Sequence, residues 1–101
     1  MKDLINKNVI ITGASKGIGE NLANNFFKHK SNLFLISRND KKLENIKKQF
    51  DKNKLPGQIV EYYGADITDQ SEIANIFKKI YQTYNKIDVL VNNAGITKDS
   101  I

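Results

Sequence analysis

Between Thr12 and Gly19 the chain reads TGASKGIG, directly after the apolar run Val9-Ile10-Ile11. These residue types suit the binding of phosphate. Glycines let the main chain turn tightly and approach an anion with no Cβ in the way. The N–H groups at the start of a helix are unpaired and lie at the positive end of its dipole. Ser15 adds a hydroxyl donor there, and Lys16 adds a positive charge. An ordinary strand-to-helix turn would need one or two glycines, whereas Gly13, Gly17 and Gly19 supply three. A P-loop is excluded, because it ends in Gly-Lys-Ser/Thr and Lys16 here precedes Gly17 and Ile18. The usual dinucleotide loop G-x-G-x-x-G is not matched letter for letter.

Such a loop works only between a strand and a helix, and the flanking pattern predicts both. Asn8 to Thr12 is a short apolar run, hence a buried strand. Ile18, Leu22, Ala23 and Phe26 recur at helical spacing, so a helix is expected to about Lys30. Leu33 to Ile36 is a second buried strand. Asn39 or Asp40 can cap the next helix, whose apolar stripe is Leu43, Ile46 and Phe50. Pro56-Gly57 marks a turn. Ile59 to Gly64 is a third strand, and Asp69 with Glu72 has the spacing of a capping box. The helix after it carries Ile73, Ile76, Phe77, Ile80 and Tyr84, and Val89-Leu90-Val91 is a fourth strand. Strands joined by helical crossovers imply an α/β fold with a parallel sheet covered by helices.

The 101 residues make one small domain at most. An apolar fraction of 40% and a charged fraction of 27% suit a folded chain rather than a disordered one. There is no cysteine, hence neither a disulfide framework nor a thiolate metal site, and no metal ligand set is predicted. The start, MKDLINK, is too polar for a secretory signal, and no apolar run is of membrane-spanning length. A cytoplasmic protein with no membrane association is expected. The net charge of +5 is spread over pairs such as Lys41-Lys42 and Lys78-Lys79. Nucleic-acid binding would want a basic stripe with interleaved aromatics, so no nucleic-acid partner is predicted.

TGASKGIG resembles the T-G-x-x-x-G-x-G loop of the short-chain dehydrogenase/reductase family. Asn92-Asn93-Ala94-Gly95, after the fourth strand, is similar to that family's N-N-A-G, and Asp66 stands where the family has an adenine-contacting aspartate. The resemblance implies a Rossmann-type doubly wound parallel sheet, truncated after the fourth strand, with residues 1–101 as an incomplete NADP-binding half-domain that lacks the catalytic half. It also implies a cofactor site built from Gly13, Ala14, Ser15, Lys16, Gly17, Ile18 and Gly19, with Asp66 and Ile67 at the adenine. Asn92, Ala94 and Gly95 complete it, while Asn93 is expected to tie neighbouring strands together.

The end of the second strand, Ile36-Ser37-Arg38-Asn39, carries no carboxylate at Ser37 or Arg38. An acidic residue there would bind the ribose 2′-hydroxyl of NAD, whereas an arginine suits the 2′-phosphate of NADP. Arg38 is the chain's single arginine. Lys16, Ser37 and Arg38 together resemble the NADP-preferring branch, so the expected cofactor is NADP(H).

The tail, N-N-A-G followed by Ile96-Thr97-Lys98-Asp99, is similar to the bacterial 3-oxoacyl-(acyl-carrier-protein) reductases. That similarity implies NADPH-dependent reduction of a 3-oxoacyl thioester carried on acyl carrier protein, in fatty acid synthesis, by a homo-oligomeric parent. A short-chain reductase of another ketone or alcohol, or a non-catalytic nucleotide-binding module acting with a partner chain, are the alternatives. The family's catalytic serine and Y-x-x-x-K pair have no counterpart: Asn85 follows Tyr81 by four positions and Asp88 follows Tyr84. No catalytic residue is assigned. The isolated chain is expected to be marginally stable, inactive and not itself oligomeric, with Val89-Leu90-Val91 as an exposed apolar edge.

Overall fold

The computed structural model describes residues 2–93. Strand β1 (Asn8–Thr12) is buried along its whole length, as a central parallel strand must be. It is flanked by β2 (Asn32–Ser37) on one side and β4 (Val89–Asn92) on the other, with β3 (Val60–Gly64) outside β2. All pairings are parallel, in the order β3-β2-β1-β4. Ile10 pairs with Phe34 on one side and with Leu90 on the other.

Successive side chains of a strand point to opposite faces, and this splits the core in two. Val9, Ile11, Leu33 and Leu35 face α1 (Gly17–Lys28) and α2 (Asp40–Asp51), meeting Ala23, Leu43, Ile46 and Phe50. The rings of Phe27 and Phe50 stack there, with centroids 4.3 Å apart. Ile10, Phe34 and Ile36 face α3 (Gln70–Tyr84), meeting Ile76 and Ile80. Helices on both faces make this a three-layer Rossmann-type α/β sheet.

The helix ends have identifiable causes. Asn39 caps α2, its side chain accepting from the Lys42 N–H at 3.0 Å. Asp69 caps α3 by accepting from the Glu72 N–H at 3.1 Å. The reciprocal half of the expected box is not made: Glu72 Oε1 accepts from the Asp66 N–H instead, at 3.3 Å. Helix α1 stops at Lys28, two residues before the predicted end. Lys30 adopts a left-handed φ of 68°, and the Lys30 and Ser31 N–H groups donate back to Phe27 and Phe26. That is a Schellman ending, a role usually given to glycine. Pro56-Gly57 forms the expected turn, with φ of 85° at Gly57 and the Gln58 N–H donating to the Leu55 carbonyl.

At the N-terminal end of the sheet the strands are tied by side chains. Asn32 donates to Asn8 Oδ1 at 2.9 Å and accepts from the Ile59 N–H at 2.8 Å. Asn8 donates to the Lys86 carbonyl at 2.7 Å. Asparagines with both amide ends engaged replace the ladder bonds that run out at the strand starts. Strand β4 is the outermost strand on its side among the described residues, and Leu90 is half exposed there. No helix among the described residues is long and apolar enough to cross a membrane.

Candidate functional site

A parallel sheet opens its crevice at the C-terminal ends of its strands, where neighbouring crossovers leave in opposite directions. Here β1 leads into α1 on one face, while β4 lies on the far side of β1. The cleft at this point has a volume of about 610 Å³.

Its floor is the loop from Gly13 to Gly17. Gly13 and Gly17 have φ of 64° and 59°, the left-handed conformation that residues with a Cβ adopt only with strain. Ala14 is fully buried, and its N–H donates to the Ile36 carbonyl at 3.3 Å, which fastens the loop to the end of β2. Lys16 is the extended N-cap residue of α1 and offers no side-chain cap. Gly19 lies in the first turn of α1, where an added Cβ would strike the Gly13 carbonyl oxygen. The glycine therefore lets the helix start approach the strand end. Ile18 stands 68% exposed on the cleft wall, an apolar surface facing outward at the helix start.

The side walls come from the other strand ends. Ser37 donates to Ser15 Oγ at 2.7 Å and accepts from the Asn39 N–H at 3.1 Å. Arg38, just past the end of β2, and Ile67, from the loop after β3, line the cleft with Lys16. Asn93, just beyond β4, lines the cleft and donates through Nδ2 to the Gly13 carbonyl at 3.3 Å.

Asp66, Asn92 and Asn93 are placed as follows. Asp66 opens onto a smaller recess shared with Arg38, Asp40 and Glu72, rather than onto the main cleft. Its Oδ1 accepts from the Thr68 N–H at 2.9 Å and from the Thr68 hydroxyl at 2.7 Å, and its Oδ2 lies 3.9 Å from Arg38. The Thr68 hydroxyl bond, then the Thr68 N–H, and lastly Arg38 hold its carboxyl below the usual carboxylate range. Asn92, expected at the cofactor, accepts through Oδ1 from the Thr12 hydroxyl at 3.2 Å and so joins neighbouring strands. Asn93, expected to join strands, also stands on the cleft wall. Ala94 and Gly95 lie outside the described residues.

Ile36, Asn39 and Ala65 also border the cleft and were not singled out by the sequence. The available signal was position alone, since each immediately adjoins a predicted strand end or cap. No tyrosine lines the cleft among the described residues. Tyr63 and Tyr84 pack on the α3 side of the sheet and Tyr62 on the α2 side. Burial, then Glu61 and Tyr84, push the Tyr63 phenol up to about 12, so it stays protonated as a packing residue would.

Residues 7–101 match the family model described as short chain dehydrogenase. Among curated proteins, the chain is 36% identical over 92 residues to the 3-oxoacyl-(acyl-carrier-protein) reductase FabG of Thermotoga maritima, covering 91% of this chain and 36% of that protein. It is 35% identical over 95 residues to an 11-beta-hydroxysteroid dehydrogenase of Pinus massoniana, covering 94% of this chain and 26% of that one. The chain thus spans about a quarter to a third of the length of these relatives. Among solved structures, L-sorbose reductase from Gluconobacter frateurii, complexed with NADPH and L-sorbose, superposes with a TM-score of 0.81 at 26% identity, over 91% of this chain and 34% of that one. YwfH, an NADPH-dependent reductase involved in bacilysin biosynthesis, superposes with a TM-score of 0.79 at 32% identity, over 87% and 37%.

Proposed function

The chain belongs to the short-chain dehydrogenase family, and from that premise we propose that residues 1–101 form the NADP(H)-holding part of a short-chain reductase. The observation that carries this reading is the composition of the cleft wall. Lys16, Arg38, Ser15 and Ser37 border it together, and no carboxylate stands at the end of β2. A 2′-phosphate would find two cations and two hydroxyls there, whereas the 2′-hydroxyl of NAD would find no acidic partner.

The residues present fit a dinucleotide. The start of α1 has no side-chain cap, so its first N–H groups are left for a pyrophosphate. Gly13, Ala14, Ser15, Gly17 and Gly19 shape that end, and Ile18 offers apolar surface beside it. Ile67 would pack on the adenine, with Asp66 at its edge. Asn92, Ala94 and Gly95 are assigned to the ribose and nicotinamide side. When bound, the cofactor would supply the hydride that reduces a carbonyl carbon. The chain's own residues bind and orient it, and none is assigned to proton transfer.

For the whole protein we favour a 3-oxoacyl thioester on acyl carrier protein as substrate, reduced to the 3-hydroxyacyl form in a cytoplasmic, homo-oligomeric enzyme. The support is Ile96-Thr97-Lys98-Asp99 after the N-N-A-G stretch, together with the Thermotoga relative. The test of the cofactor is direct. Titration of the chain with NADPH and with NADH, followed by nicotinamide fluorescence, should show tighter binding of NADPH. Arg38→Ala should remove most of that preference. Equal affinity of the unaltered chain for both nucleotides would overturn the assignment.

A further inference from the structure

Asp66 is tied through its main chain and through one carboxylate oxygen. Its N–H donates to Glu72 Oε1 at 3.3 Å, and its carbonyl accepts from the Asp69 N–H at 2.9 Å. Its Oδ1 accepts from the Thr68 N–H at 2.9 Å and from the Thr68 hydroxyl at 2.7 Å. Chemistry sets the direction of each bond, since a main-chain N–H only donates and an ionised carboxylate only accepts. The Glu72 bond is not helix capping. In a capping box Glu72 would take the N–H of Asp69, the cap residue of α3. That N–H goes to the Asp66 carbonyl, and Glu72 reaches back to the Asp66 N–H instead.

Oδ2 is the carboxylate oxygen left over. Arg38 lies 3.9 Å from it with its side chain 79% exposed, a pair that water screens. The recess onto which Asp66 opens adjoins the main cleft, because Arg38 and Ala65 line both. Ile67, the next residue, lines the main cleft. An apolar side chain for the face of a base and a carboxylate for its edge thus stand on adjacent residues. The Thr68 hydroxyl bond, then the Thr68 N–H, hold the carboxyl below its ordinary range, so it has no proton to give.

We propose that Thr68 and Glu72 are positioning residues for base selection: they hold Asp66 so that Oδ2 is left to the base as an acceptor, which favours a purine with an amino group at C6 over one with an oxo group there. An oxo group is itself an acceptor, and two acceptors with no proton between them repel. The inference rests on the NADP(H) reading above and gives the turn before α3 a task in that site. Thr68 and Glu72 act through Asp66 and make no contact with the nucleotide.

The probe is the hypoxanthine analogue of NADPH, which keeps the 2′-phosphate and carries an oxo group in place of the C6 amino group. Binding of both nucleotides to the 101-residue chain is followed by nicotinamide fluorescence. NADPH should bind about tenfold more tightly, the difference expected for one hydrogen bond to a charged group. Thr68→Val and Glu72→Ala should each cut that preference about threefold, while changing the affinity for the analogue by less than about twofold. Both residues are exposed, so the fold should survive either change. Thr68→Ser and Glu72→Gln, which keep the hydroxyl and the acceptor oxygen, should keep the preference. In an Asp66→Ala chain the preference should be gone, and adding Thr68→Val or Glu72→Ala should change nothing more. Variants that keep the full preference, or that lose both nucleotides equally, would overturn the proposal. So would a preference under about twofold in the unaltered chain. The cofactor reading would survive these results, since it stands on NADPH against NADH. An unaltered chain that binds neither NADPH nor its analogue would overturn both readings.

Discussion

Asn93 Nδ2 donates to the Gly13 carbonyl oxygen across 3.3 Å, so the end of β4 holds the first glycine of the loop in place. The same oxygen is the atom that a Cβ on Gly19 would strike. One carbonyl thus fixes the distance between two strand ends and a helix start.

Gly19→Ala should therefore cost more stability than Gly17→Ala. At Gly17 an added Cβ meets no atom within 4 Å, and the penalty is the left-handed φ of 59°, about 1–2 kcal/mol. At Gly19 the nearest obstacle is the Gly13 backbone, which cannot swing aside as the Asn93 side chain next to it could. Overpacking of this kind costs about 1–3 kcal/mol, and an immovable neighbour puts Gly19→Ala at the upper end. Urea midpoints of the two variants decide the order. A Gly17→Ala variant less stable than Gly19→Ala would contradict the packing described.

Asn32 bridges three strand starts, so Asn32→Ala should be destabilising although it removes a polar residue. The change strips the Ile59 N–H of its acceptor and Asn8 Oδ1 of its donor, in a place where Asn32 itself is buried. Buried groups left without partners cost about 1–3 kcal/mol each, so a loss of about 2–4 kcal/mol is expected. Chemical denaturation measures it. A loss of under about 0.5 kcal/mol, typical of a surface substitution, would show that water replaces the bridge.

The strand and helix order was legible because each element carries its own period. Val9-Ile10-Ile11 and Leu33 to Ile36 are continuous apolar runs, as a strand buried on both faces requires, and Leu43, Ile46 and Phe50 keep helical spacing. The early stop of α1 was not legible, because Lys30 takes the left-handed position where glycine would have announced it. Asn92 at the end of β4 and Asn93 just beyond it both bond to the end of β1, to the Thr12 hydroxyl and to the Gly13 carbonyl, so two adjacent residues of one type share the tie that the sequence placed on one. The placement of Asp66 depended on Thr68, a local turn bond that no periodic pattern encodes.

Arg38 and Lys16 both border the cleft, yet they should not contribute equally. A guanidinium can hold a phosphate with two parallel bonds, whereas an exposed ammonium acts as a point charge in water. Bonds to a charged group are worth about 1.5–3 kcal/mol, so Arg38→Ala should cost NADPH roughly tenfold or more in affinity. An exposed ion pair is worth about 0.2–1 kcal/mol, so Lys16→Ala should cost about fivefold at most, and less in high salt. NADPH titrations at two ionic strengths check both. A larger loss for Lys16→Ala would place the phosphate at the helix start rather than at the end of β2.

The acid side of the stability profile should carry a signature of Asp66. Its carboxyl titrates below its ordinary value of 3.8, because the folded state stabilises the charged form. A depressed acid contributes stability that is complete above the unfolded value and is lost as pH falls through the folded one. The window therefore lies below about pH 4. The leading cause is the Thr68 hydroxyl bond at 2.7 Å, whereas Arg38 is 3.9 Å away with its side chain 79% exposed. Solvent screens that ion pair, so Thr68→Val should raise the Asp66 titration midpoint more than Arg38→Ala does. Carboxyl-carbon NMR titration of Asp66 in the three proteins reads the order directly. A larger upward shift in Arg38→Ala would make the ion pair, not the turn, the main support of the charge.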